Sequence, residues 1–155
     1  MYIEKYWGDY IGGSDDSLTL MEYFAHKSLE LTLAEIFTDI GLDKLDGDLR
    51  QTDGLSVEID DMEVEIQYAI SIIADLAALL LECKANGSVD LNELWEELDG
   101  ELILTATAEE NEIINAALKL FAEAPTEYDI SEMMDEDELA EMAELIAELR
   151  QELYG

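Results

Sequence analysis

One histidine, one cysteine and one proline are all that 155 residues contain of three residue types that anchor chemistry or break structure. Each scarcity excludes something. His26 has no second histidine or cysteine at metal-ligand spacing, so a zinc site has nothing to be built from. Ser-His-Asp or Cys-His catalysis would rest on His26 or Cys83 alone, and neither lies in a nucleophile signature. Cys83 has no internal partner, so the fold holds without disulfides and a reducing compartment is expected. Basic residues are scarce too: seven Lys and Arg stand against forty Asp and Glu, a net charge of −33. Such a surface repels phosphate backbones and anionic membranes, which argues against direct nucleic-acid or membrane binding. The opening Met-Tyr-Ile-Glu-Lys lacks the basic region and apolar run of a secretory signal, and the cytoplasm is the expected location. Forty acids strip paired carboxylates of meaning as a hydrolytic signature, so the chain reads as no enzyme and as needing no cofactor.

What is present is a folded protein's share of apolar residues, 49%. Acidic disordered chains are poor in such residues. The acids are spread along the whole chain, and the longest unbroken run is Asp135-Glu136-Asp137-Glu138. The charge therefore belongs to a folded surface rather than to a tail. The length suits one substantial core, and residues 1–155 read as a single acidic domain.

The stretch from Met62 to Ala85, MEVEIQYAISIIADLAALLLECKA, organises the rest. Between Tyr68 and Leu81 only Ser71 and Asp75 are polar. A helix apolar all round must be covered on several sides. Asn86-Gly87 supplies the left-handed turn that ends it. The run is too short, and Asp75 too central, for a membrane span. Gln67, Ser71, Asp75 and Glu82 fall along one line at helical spacing, with Ala78 in the gap. The expected reading of that line is a narrow solvent-facing stripe; a buried carboxylate at Asp75 would need partners that the sequence does not name.

Around this helix the pattern predicts others. Ser14-Asp15-Asp16-Ser17 supplies capping groups for a helical stretch over Leu18 to Ile40, with a break near Ser28 to Thr32, where Thr32 and Glu35 form a capping box. Gly41 stops it. The Asp- and Gly-rich loop from Gly41 to Gly54 fails the calcium-loop spacing despite Asp43, Asp46, Asp48 and Asp53, and reads as solvated. Leu55 to Asp60 alternates as a short strand, and the alternation running on through Met62, Val64 and Ile66 blurs where the core helix begins. Asp90 caps a short helix carrying Leu91, Leu94, Trp95 and Leu98. Leu102 to Thr107 reads as a second short strand, and Thr107 with Glu110 caps a helix reaching Glu123. From Asp135 onward Leu139, Met142, Ile146, Leu149 and Leu153 step by three and four, giving one apolar seam. The expected fold is mainly α: a compact helical bundle around a central buried helix, with at most a small β element near Val57 and Leu104.

The first seventeen residues are unusual in another way. Tyr2, Tyr6, Trp7 and Tyr10 crowd together, broken by Gly8, Gly12 and Gly13. They read as an arm clamped onto the core by its rings, or as an aromatic and acidic recognition patch. Tyr6-Trp7-Gly8-Asp9-Tyr10-Ile11-Gly12-Gly13-Ser14-Asp15-Asp16-Ser17, followed by Leu18-Thr19-Leu20, resembles the opening of bacterial immunity proteins of polymorphic-toxin and contact-dependent growth inhibition systems. The resemblance implies a cytoplasmic inhibitor that binds one cognate toxin domain, often a nuclease, and it implies no catalytic residue. Those proteins span several unrelated folds, so the resemblance leaves the architecture open. An acidic inhibitor suits a basic, phosphate-reading cleft. Trp7 and Tyr10 are then the candidate anchors, and Asp15 and Asp16 the candidate rim acids. The alternative is a DNA mimic whose carboxylates replace phosphates against a DNA-binding protein.

Overall fold

The computed structural model describes residues 3–45, 48–52 and 55–155. Among them are six α-helices and seven short strands. In chain order these are β1 (Trp7–Asp9), β2 (Ile11–Gly12), α1 (Asp15–Ala25), β3 (Glu30–Thr32), α2 (Leu33–Ile40), β4 (Ser56–Ile59), β5 (Met62–Glu65), α3 (Ala69–Asn86), β6 (Val89–Asp90), α4 (Leu91–Leu94), β7 (Glu101–Thr105), α5 (Ala108–Glu123) and α6 (Glu136–Tyr154). The chain is mainly α, as its helical periodicity predicts, but with more β structure than the expected single small element.

Helix α3 is the centre. Every residue from Ala69 to Cys83 is buried, which is what an Ala-, Leu- and Ile-rich run without a polar face requires. Gly87 ends it at φ 88°, and its N–H reaches Cys83 O at 2.8 Å. α1, α5, α6 and β7 all pack on α3. The seam of α6 behaves as its spacing predicts: Leu139, Met142, Ile146, Leu149 and Leu153 are all buried. Asp135 and Glu138 close a capping box at its start, with Glu138 N–H donating to Asp135 Oδ1 at 2.8 Å. The only proline, Pro125, opens a short 3-10 turn just after α5.

Four expectations need correction. The core helix begins at Ala69, not Met62. Met62–Glu65 is instead β5, paired antiparallel with β4 through Val57↔Val64 and Ile59↔Met62. Two-residue alternation thus governs up to Ile66, and the helical run takes over only where Ala and Ile crowd together. The stretch Leu18 to Ile40 breaks at the expected place, but the break holds a strand: β3 lies parallel to β7, Leu31 beside Leu104, and β7 also pairs antiparallel with β6. Leu102 and Leu104 face inward while Glu101, Ile103 and Thr105 face out. The short helix after Asp90 ends at Leu94, leaving Trp95 and Leu98 half-buried beyond it.

The fourth correction concerns the polar line on α3. Ser71, Asp75 and Glu82 do not form a solvent stripe: Ser71 and Glu82 are 1% exposed and Asp75 is fully buried. The N-terminal arm covers Asp75 and Glu82. Of the Asp-rich loop, Asp46 and Asp53 lie outside the described residues; Asp43 and Asp48 are exposed.

Candidate functional site

The arm is held to the core through three carboxylates, and the local sequence explains each attachment. Ile3 donates its backbone N–H to Glu82 Oε1 at 3.1 Å, near the end of α3. Nine residues later Gly12 N–H meets Asp75 Oδ1 at 2.8 Å, and Ser17 donates its hydroxyl to Asp75 Oδ2 at 2.6 Å. Ala78 leaves the small step between the two acids. Asp16 works in the opposite direction, from α1 toward the start of α3. Its Oδ1 accepts from Gln67 N–H at 2.8 Å and its Oδ2 from Tyr68 N–H at 2.9 Å. Thr52 Oγ1 accepts the next N–H, that of Ala69, at 2.7 Å. Donors at a helix start need acceptors, and here they come from distant segments. Tyr68, at the cap position, makes no side-chain cap of its own.

Burial sets the chemistry of these acids. It pushes the Asp75 carboxyl up to about 7, with the nearby Asp16 charge adding to the shift while Ser17 and Gly12 oppose it. Burial also raises Asp16, against the two backbone N–H groups that favour its charged form.

Above this polar seam lie the arm's rings. Trp7 meets Trp95 edge to face, centroids 5.2 Å apart at 80°. Gly12 makes this possible: at φ 83°, a Cβ there would sit 2.2 Å from the Trp7 ring. Tyr10 donates its hydroxyl to Glu141 Oε2 at 2.7 Å, and Lys5 pairs with Glu152 at 2.8 Å, so the arm is also tied to α6. Trp7 and Tyr10 are half-buried and Asp15 is exposed at the first turn of α1. Asp16, the other candidate rim acid, is 2% exposed and turned inward. Three of the four candidate residues thus keep a solvent-facing part, while Asp16 holds the fold. Sequence reasoning placed Glu82 on the polar line and Ser17 in a cap but gave neither, nor Thr52, a role in docking; that polar line was the only sign that something docks there.

A second feature lies across the molecule's α1–α2 side. A cleft of about 590 Å³ opens between the end of α1, α2 and the β4–β5 turn, with Asp39, Glu58, Asp60 and Asp61 in its walls. Asp39 is already engaged: Tyr23 donates its hydroxyl to it at 2.6 Å and Lys27 pairs with it at 3.1 Å. His26 is exposed beside the cleft, its ring Nδ1 2.9 Å from Glu22 O. Cys83 is buried, and burial raises its thiol, the reverse of what a nucleophile needs. Among the described residues no three His, Cys, Asp or Glu side chains converge as metal ligands, and no helix is long and apolar enough to cross a membrane.

No curated protein and no solved structure gives a significant match to the chain. A family model described as Immunity protein 68 matches residues 2–153. That span takes in the clamped arm, the buried α3 and the acidic α6 alike, and the chain belongs to the Immunity protein 68 family.

Proposed function

We propose that this immunity protein neutralises one cognate toxin domain, a basic and nuclease-type one, by laying an acidic surface over its phosphate-binding cleft. It would do so in the cytoplasm, as the protective half of a polymorphic-toxin or contact-dependent inhibition pair. The observation that carries the reading is the charge: −33 on a folded chain of an immunity family. Among the described residues the acids find few cations, the ion pairs being Lys5–Glu152, Lys27–Asp39 and Arg50 with Asp48 and Glu127. A surface so uncompensated attracts a basic partner over the Debye length, on the order of 10 Å at moderate salt. Charge then acts mainly on encounter, and aromatic anchors mainly on residence time. Trp7 and Tyr10 are the proposed anchors, each tied from behind by Trp95 or Glu141, and Asp15 the proposed rim acid. Asp16 contributes by holding the segment that carries them.

The test is kinetic. The association rate with the toxin domain encoded immediately upstream of this chain should fall steeply as salt rises, while dissociation changes less. Asp15→Lys should slow association in a protein that stays folded. The same host should survive that toxin and succumb to an unrelated one. Tight binding to several unrelated DNA-binding proteins would identify a DNA mimic instead, and absence of both binding and protection would end the immunity mechanism proposed here.

A further inference from the structure

The β4–β5 hairpin leaves one of its edges open. Its register puts Ile59 opposite Met62 and Val57 opposite Val64. Ile66 N–H donates to Leu55 O at 2.9 Å, which identifies 55/66, and by alternation 57/64 and 59/62, as the pairs that exchange ladder bonds. Glu63 and Glu65 therefore direct their backbone N–H and C=O groups away from β4. α1 and α2 pack on β4, and β5 has β4 as its only strand neighbour among the described residues. No backbone hydrogen bond among the described residues meets Glu63 or Glu65 on that outer side.

The edge is regular rather than frayed. Asp60 and Asp61 both take left-handed φ angles, 51° and 62°, the two-residue turn whose twist matches a hairpin. Aspartate tolerates that conformation better than most residues. Just beyond the turn Met62 is 69% exposed, on the face of the hairpin opposite Glu63 and Glu65.

Sheet edges are usually blunted with charge, because unpaired backbone groups recruit other strands. The charge on this edge is of one sign. A second copy of the chain would set glutamates against glutamates, and like charges directly opposite destabilise pairing. A strand bearing Lys or Arg at alternate positions would meet the reverse situation: open hydrogen-bonding groups, opposite charges across the pair, and Met62 as an apolar contact. The edge is thus closed to self-association and open to a basic strand.

We infer that the outer edge of β5 receives a basic extended segment of the toxin domain as a third strand, held by the backbone of Glu63 and Glu65. The identity of the occupant rests on the toxin-binding function proposed above. Hydrogen exchange on the full chain, free and bound to the toxin domain encoded immediately upstream, tests it. The Glu63 and Glu65 amides should exchange freely in the isolated protein and slow at least tenfold in the complex. Glu63→Pro removes an outward N–H and no ladder bond, so it should leave the thermal midpoint near that of the parent and speed toxin dissociation about tenfold. The double reversal Glu63→Lys with Glu65→Lys should slow association. Binding that leaves both amides exchanging at their free rates overturns the edge and leaves the toxin-binding function standing. If Glu63→Pro fails to fold, the exchange measurement on the parent protein decides alone. Absence of binding removes the function itself, and the edge proposal with it.

Discussion

Gly12 donates its backbone N–H to Asp75 Oδ1 at 2.8 Å, joining the N-terminal arm to the middle of the core helix across 63 residues of sequence. The acceptor is fully buried, on a helix that otherwise shows the core only apolar atoms and two further polar side chains. A charge in that setting is costly unless its oxygens are bonded, and both are: Ser17 takes the second. The arm is therefore not an appendage that the core tolerates. Without it α3 would carry Asp75 and Glu82 uncovered.

This arrangement makes stability depend on pH in a definite direction. The folded Asp75 carboxyl titrates at about 7, above its ordinary 3.8. Between those values the native state holds the proton that the unfolded state has released, so stability falls as pH rises. The contribution is fully present below about pH 4 and lost by about pH 7, on the order of 4 kcal/mol across the window. Asp75→Asn resembles the protonated group: its carbonyl can accept from Gly12, its amide can donate to Ser17, and the Ser17 hydroxyl can turn to Ser14 Oγ, 3.0 Å away. Urea unfolding between pH 4 and pH 7.5 should show a shallower decline for Asp75→Asn than for the parent. Parallel curves would mean that Asp75 stays ionised in the fold.

Two adjacent aspartates should behave as opposites. Asp15 is exposed at the first turn of α1, and its replacement by Asn should change stability by no more than about 0.5 kcal/mol. Asp16 accepts from both Gln67 and Tyr68 N–H at the start of α3, and Asn offers only one such oxygen. Asp16→Asn should therefore destabilise by about 1–3 kcal/mol, through one orphaned donor and the lost charge at a helix N-terminus. Chemical denaturation of the two variants side by side reads the contrast. Equal midpoints would show that Asp16 makes no net contribution through these bonds.

The same pair explains how far the sequence could be read. Asp15 and Asp16 share one capping motif, and nothing local says that one faces water and its neighbour the core. What was legible is what local rules decide: the apolar α3, the seam of α6, the caps at Thr32 and Thr107, and the stops at Gly41 and Gly87. What was not legible depends on segments meeting at a distance. β3 is three residues long and becomes a strand because β7, itself legible from the alternation after Leu102, lies beside it. The start of α3 was hidden because its caps, Asp16 and Thr52, come from elsewhere in the chain. Asp75 was misread for the same reason: a line of polar residues on a helix signals either water or a docked segment, and only the arm's position decides. At the candidate site, Trp7, Tyr10 and Asp15 were visible as residue types, whereas the Trp95 and Glu141 that hold two of them in place were not.

Glycine 12 offers the sharpest test of the arm as a built unit. Its φ of 83° lies in the left-handed region, which by itself costs an alanine on the order of 1–2 kcal/mol. Gly8, with φ 132°, is strained for a side chain in a similar way, but a Cβ there would meet nothing within 4 Å. The difference between the two positions is the Trp7 ring, 2.2 Å from a Cβ on residue 12. Gly12→Ala should therefore drive the indole off Trp95 and disturb the N–H that serves Asp75, while Gly8→Ala should add backbone strain and leave the ring seated. In a Trp95→Phe background the single remaining indole reports directly. Its emission should move to longer wavelength in Gly12→Ala and stay near the parent value in Gly8→Ala. If both variants lose stability equally and neither emission shifts, the ring is placed by something other than the missing side chain. If the shift appears as expected, the same variant should also shorten toxin residence time, since an anchor released from its backing loses its preorganisation before it reaches a partner.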